Sequence, residues 1–204
     1  MANEKKEDPW VENILRPKLA KELSNEYEVN CKQHLLYALN IKSYCKNGYG
    51  QTKANFYTTD IKPKDNSYEI DLLISQKIND FEFIPLIAIE TKWGKMTTHD
   101  IITYNKKAED HKKIHKNLLY GVVVANYTKG GLTIQKLYRH QFENFDFVFC
   151  FKGKEPTTDE WQCFVDLIKR KITESQNLHT LLARDKKGRD SFICLEKTIT
   201  CKEN

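Results

Sequence analysis

Residues 86–94 read LIAIETKWG. Side chains alternate between the faces of a strand, so Leu86, Ala88, Glu90 and Lys92 share one face and Ile87, Ile89, Thr91 and Trp93 the other. A buried strand therefore ends with an acid and a base on the same side. Burying charge is costly unless an opposite charge, a metal ion or a phosphate compensates it. The preceding strand segment, SYEIDLLIS, adds a second acid. There Tyr68, Ile70, Leu72 and Ile74 form one face and Glu69, Asp71, Leu73 and Ser75 the other, which sets Asp71 between large apolar neighbours. Antiparallel pairing of the two segments would bring Asp71 beside Glu90. Two carboxylates and an ammonium would then lie close together and call for a cation.

Working outward, residues 1–8 are polar and expected to form a flexible N-terminus. PWVENILRPKLAKEL has Val11, Ile14, Leu15, Leu19 and Leu23 near helical spacing, with Pro17 breaking or restarting the helix. A second helix is predicted over Asn25 to Ile41, with Glu28, Cys31 and Leu35 on one stripe. Loops at SYCKNGYGQTKAN and IKPKDNS flank a strand near Phe56 to Asp60. With Tyr68 to Ser75 and Ile84 to Trp93 it would make a three-strand meander. Thr97 or Thr98 caps a helix over HDIITYNKKAEDHKKIHK, and LLYGVVVANY reads as a strand buried on both faces. LTIQKLY and FDFVFCF are further strands, and Thr157 to Ala183 is a helix with Trp161, Phe164, Val165, Ile168 and Ile172 on its apolar face. This order predicts an α/β fold, a three-layer sandwich of one mixed β-sheet flanked by helices. A single domain over 9–204 is expected, with its core at about 10–130 and a C-terminal extension over 131–204.

Composition narrows the function classes. The 204 residues are 30% charged, 40% hydrophobic and 11% aromatic, as in a folded globular protein. The net charge of +5 is compatible with a polyanionic partner, with a solvated lysine surface as the plain alternative. Cysteines 31, 45, 150, 163, 194 and 201 form no CxxC pair and no zinc-type cluster with histidine. Neither a signal segment nor a membrane span is visible, so free thiols in the cytoplasm are expected.

Asp71 on one strand and Glu90-x-Lys92 on the next resemble the active site of the PD-(D/E)XK nuclease superfamily, which includes type II restriction endonucleases. Ile70 stands where those enzymes usually carry proline. The resemblance covers about residues 10–130 and implies a restriction-endonuclease-like αβββαβ core. It assigns catalytic roles to Asp71, Glu90 and Lys92, and a metal site to Asp71, Glu90 and the Thr91 carbonyl. An acid on the first helix often completes such sites; Glu28 is the candidate here, with Glu12 as the alternative. The triplet alone has little weight, because [DE]xK occurs at 4–6, 60–62, 90–92, 110–112 and 185–187. Only Glu90 to Lys92 ends an apolar strand that follows an acid-bearing one. In the plain alternative, Glu90 and Lys92 neutralise each other.

The implied cofactor is Mg²⁺, with Mn²⁺ able to substitute, since hard oxygen donors suit these ions. The ion would offset phosphate charge and acidify a water, while Lys92 orients that water or stabilises developing negative charge. Lys95, Tyr104, Lys106 and Lys107 are candidate nucleic-acid contacts, and Lys112, Lys113 and Lys116 extend the basic run. Asp100 and Tyr104 stand where some relatives carry a Gln and Tyr pair. His99 is an accessory candidate, and His111 and His115 are read as surface residues. Lys186, Lys187 and Arg189 form an exposed basic loop.

The implied function is Mg²⁺-dependent cleavage of DNA, by a restriction enzyme or an anti-phage defence nuclease. Cutting both strands favours a homodimer or a larger defence complex. Two alternatives stand beside it: a catalytically inactive nucleic-acid-binding or assembly subunit of the same fold, and an interaction protein in which the charges are a structural ion pair.

Overall fold

A computed structural model describes residues 4–37, 41–46, 52–56, 66–79, 82–127, 139 and 142–183. Helix α1 (Glu4–Trp10) passes through a π-helical turn (Val11–Leu15) into α2 (Arg16–Glu22). Residues 4–8, expected to be frayed, are thus helical. Pro17 lies in the first turn of α2, where its missing N–H and fixed φ cost least.

The next element corrects the sequence reading. Tyr27–Leu36 is strand β1, not helix. Tyr27, Val29 and Cys31 alternate toward one core, while Leu35 packs in the other. The adjacent pair Leu35 and Leu36 mimics a helical stripe, yet pairing with β4 prevails over local pattern. Strands β2 (Ile41–Lys46) and β3 (Thr52–Phe56) form a separate antiparallel hairpin. The first occupies part of the predicted loop, and Phe56 ends a strand instead of beginning one. Residues 57–60 of that predicted strand lie outside the described residues.

Strands β4 (Ser67–Lys77) and β5 (Phe83–Trp93) follow, then α3 (Thr98–Ile114), β6 (Leu119–Ala125), a 3-10 turn (Phe142–Asn144), β7 (Phe147–Cys150) and α4 (Thr158–Ala183). The five-strand sheet has the order β1-β4-β5-β6-β7. The antiparallel meander consists of β1, β4 and β5, with β1 in the place expected for the strand near Phe56 to Asp60, and β6 and β7 continue parallel. The strand expected at LTIQKLY lies outside the described residues.

Both sheet faces are covered. Trp10, Val11, Leu15 and Leu19 from the N-terminal helices, with Phe164, Ile168 and Ile172 from α4, pack on Leu72, Ile74, Ile87 and Ile89. Opposite, Ile101, Tyr104 and Ala108 of α3 pack on Ile70, Leu73, Ala88, Val122 and Val124. Each buried Leu, Ile or Phe contributes about 1.5–3 kcal/mol on burial. The α/β class and mixed sheet with flanking helices follow directly from this arrangement. No helix among the described residues is long and apolar enough to cross a membrane.

Two departures from strict alternation shape the site. Ile74 pairs with Ile87 but Ser75 with Pro85, so Leu86 is a bulge and joins Ile87 in the same core. Proline, which cannot donate to a ladder, is tolerated beside such a bulge. On β4, Leu72 and Ile74 face the α1–α2–α4 core while Ile70 faces α3. The change of face falls at Asp71, where the β1–β4 register passes over Lys32, whose φ of 52° is uncommon for a residue with a side chain.

Candidate active site

The meander delivers Asp71 and Glu90 to neighbouring positions. Leu72 pairs with Ile89, and the ladder between β4 and β5 ends there, although β5 continues along β6 to Trp93. Beyond that point β5 needs acceptors for N–H groups on its abandoned edge. Asp71 supplies one: its Oδ2 accepts from Thr91 N at 2.8 Å and from Thr91 Oγ1 at 3.0 Å. Glu7 of α1 supplies the next, accepting from Trp93 N at 3.2 Å. The end of β5 is therefore held by two carboxylates from separate elements.

Glu90 lies on the α3 side and is 1% exposed. Tyr120 Oη donates to its Oε1 at 2.6 Å, and Lys107 Nζ donates at 3.1 and 3.3 Å to its two oxygens. Lys92 does not turn back to Glu90. Its ammonium lies 3.4 Å from Asp100 Oδ1 and 3.8 Å from Glu7 Oε2, and 5.8 Å from the Tyr104 ring centroid. The mutual neutralisation of Glu90 and Lys92 considered from sequence is thus replaced by pairs to other elements. The Thr97–Asp100 capping box fixes the start of α3 and with it Asp100. One turn later Tyr104 Oη reaches the Thr91 carbonyl at 3.4 Å.

Charge crowding leaves a clear electrostatic mark. Burial, with repulsion from Asp71, pushes the Glu90 carboxyl up to about 7, against the pull of Lys107. Burial likewise lifts Glu7 to about 7, opposed by Lys92. Asp71 is raised by burial despite its two bonds from Thr91. Burial alone would lower Lys92, but Glu7 and Asp100 outweigh it and strengthen its hold on the proton. Tyr104 and Tyr120 are both pushed up, first by burial and then by Glu90.

The remaining predicted residues divide. Glu28 sits on β1 opposite Ser75, four residues along β4 from Asp71, or about 13 Å at strand rise. The helix on which its candidacy rested is absent, and Glu28 does not reach the cluster. Glu12 is nearer, lining a small hollow with Asp8, Cys31, Lys32 and Asp71, and lies 3.6 Å from Lys32 Nζ. Glu7 is an acid of α1 beside Lys92 and Trp93 that sequence inspection did not single out.

Lys107 and Tyr104, candidate nucleic-acid contacts, lie in the cluster, on Glu90 and the Thr91 carbonyl respectively. Lys95 is exposed, and Lys106 is exposed but paired with Glu109 and Asp110. Lys113 joins the same two acids, and Lys112 bonds Asp146 at 2.6 Å. His99 is exposed. His111 corrects the surface reading, being fully buried with Nε2 donating to Leu35 O at 3.0 Å. Burial holds its pKa down at about 4, and its Nδ1 has no hydrogen-bond partner among the described residues. His115 is half-buried and similarly donates to Leu36 O at 3.0 Å. Both satisfy carbonyls at the end of edge strand β1. Among the described residues Cys31 and Cys150 form no disulfide, while Lys186, Lys187 and Arg189 lie outside the described residues.

The donor set fits a hard divalent cation in kind: Asp71, Glu90 and the Thr91 carbonyl all offer oxygen. Among the described residues no three His, Cys, Asp or Glu side chains converge at ion-holding spacing. A cation here would rely on water or substrate oxygens for much of its shell, as Mg²⁺ commonly does. Compared with known proteins, the chain matches no protein-family model and no curated protein.

Proposed function

We propose that this chain is a Mg²⁺-dependent endonuclease that hydrolyses DNA phosphodiester bonds on a restriction-endonuclease-like core. The supporting observation is that Asp71 and Glu90 each follow the last β4–β5 pair, Leu72 with Ile89, where Asp71 bonds to Thr91, with Lys92 one step further on the same strand face as Glu90. The order helix, β1, β4, β5, α3, β6, with an antiparallel meander and a parallel next strand, agrees with an αβββαβ core. The β2–β3 hairpin is then an insertion between its first two strands.

Asp71, Glu90 and the Thr91 carbonyl would hold the ion, and Glu7 takes the helical acid's place. Mg²⁺, or Mn²⁺ in its stead, would supply charge neutralisation at the phosphate and a more acidic water. The chain's own residues set the rest. Thr91 orients the Asp71 carboxylate through two hydrogen bonds, and Tyr120 fixes that of Glu90. Lys92, held between Asp100 and Glu7, is the cation placed to stabilise charge developing on the phosphate. Duplex cleavage requires a second cut, which a second copy or a defence complex would provide.

One observation favours a different reading, an inactive binding or assembly subunit. Asp71, Glu90 and Glu7 each already accept hydrogen bonds from the protein. Cleavage assays on supercoiled plasmid and single-stranded DNA, with Mg²⁺, Mn²⁺ or EDTA, separate the two. The nuclease reading expects metal-dependent cutting that falls at least about a hundredfold in Glu90→Gln and Lys92→Ala, on the scale of losing one electrostatic stabiliser. Salt-sensitive DNA binding without cutting by wild type would support the subunit instead.

A further inference from the structure

Lys107 occupies a place that local packing does not demand. It reaches from α3 to the buried end of Glu90, where Nζ donates to both carboxylate oxygens at 3.1 and 3.3 Å and to Glu69 O at 3.2 Å. The Tyr68 and Tyr104 ring centroids lie 6.0 and 5.7 Å away. A carboxylate, a main-chain carbonyl and two aromatic faces together make a cation seat. The side chain filling it is 22% exposed, so it has a path outward, whereas that of Glu90 is 1% exposed.

Glu90 is also the carboxylate that a divalent cation would use on the reading above, on which this inference rests. A divalent ion and an ammonium on the same buried carboxylate would repel strongly at that separation. We propose that Lys107 is the resident counter-ion of Glu90 and competes with the divalent cation for it, so that metal binding requires the lysine to swing off the carboxylate. Lys107 is then a positioning residue that holds the two Glu90 oxygens in place until the metal takes over. The alternative, a purely structural ion pair, makes the opposite prediction for metal affinity: loosening Glu90 would weaken binding.

The test uses the full chain without nucleic acid. Mn²⁺ binding is followed by loss of the free-ion electron paramagnetic resonance signal in wild type, Lys107→Met, Lys107→Gln and Lys107→Arg, with circular dichroism to confirm folding. Competition expects at least tenfold tighter Mn²⁺ binding in the two neutral variants and no tightening in Lys107→Arg. Equal or weaker binding in both neutral variants, with wild type still binding, overturns the proposal and leaves the metal reading intact. Absence of Mn²⁺ binding in wild type and variants alike removes the metal reading and the competition with it. A second measurement needs no variant: reductive methylation of wild-type Lys107, read by mass spectrometry, should accelerate when Mn²⁺ is added. An unchanged rate under conditions where Mn²⁺ is bound would also overturn the proposal.

Discussion

Glu90→Gln should change how stability depends on pH more than it changes stability itself. Burial lifts the Glu90 carboxyl from its ordinary 4.5 to about 7. The folded protein therefore holds a proton between those values that the unfolded chain has released. The stability tied to Glu90 is fully present below about pH 4.5 and is lost as pH rises through about 7. At 1.36 kcal/mol per pH unit the loss amounts to about 3 kcal/mol. Glutamine keeps an acceptor for Tyr120 and cannot ionise, so it escapes that loss. Glu7 titrates in the same direction, while His111, held down at about 4, contributes stability that grows as pH rises toward 6.5. The whole wild-type profile mixes these groups, whereas the difference between the two proteins isolates Glu90. Urea unfolding, followed by the fluorescence of Trp10, Trp93 and Trp161, should show Glu90→Gln gaining about 3 kcal/mol on wild type between pH 4.5 and pH 8. Added Mn²⁺ at pH 8 should narrow that gap by stabilising wild type alone. A gap that stays constant with pH would refute the claim that this carboxylate is buried under strain.

Two further substitutions probe the scaffold. Asp71→Ala leaves the Thr91 N–H and hydroxyl without their acceptor, which should cost about 1–3 kcal/mol in urea unfolding. Gly121→Ala would drive a methyl into the Phe147 ring across the β6–β7 pair, and overpacking of this kind should cost about 1–3 kcal/mol, visible as a lower Tm.

Much of this arrangement is legible in the chain itself, for identifiable reasons. The acid at the end of LIAIETKWG is conspicuous because the residues before it can only be buried, and Asp71 stands out in SYEIDLLIS for the same cause. Thr97 announces α3 because a cap acts within one turn. What escaped depends on distant neighbours. β1 reads as helix until β4 pairs with it. Glu7, in the polar run NEKKEDP, gains its role only because β4 leaves the edge of β5 and exposes Trp93 N–H. His111 and His115 resemble surface residues until the carbonyls ending β1 are seen to need donors. Tyr120 did carry a signal, since a phenol inside a buried LYGVVVA strand requires a partner, but only the fold names Glu90.

The network around β5 meets two demands at once, and they differ in what they require. Capping the edge N–H groups of Thr91 and Trp93 needs an acceptor oxygen, which an amide side chain supplies without charge. The chain instead caps them with Asp71 and Glu7, sets Glu90 and Asp100 alongside, and answers these acids with Lys92 and Lys107. Glu7 and Glu90 rise to about 7 as a consequence, which makes the folded state less stable at neutral pH than amides would. Ionisable groups held against their own preference are the usual condition of sites that bind cations or move protons. An edge-capping role alone predicts that Asn at 71 and Gln at 7 leave every property intact or improved. A cation-binding role predicts that the same replacements hold or raise stability while removing metal-linked stabilisation and cleavage together, so the two demands separate in a single pair of neutral variants.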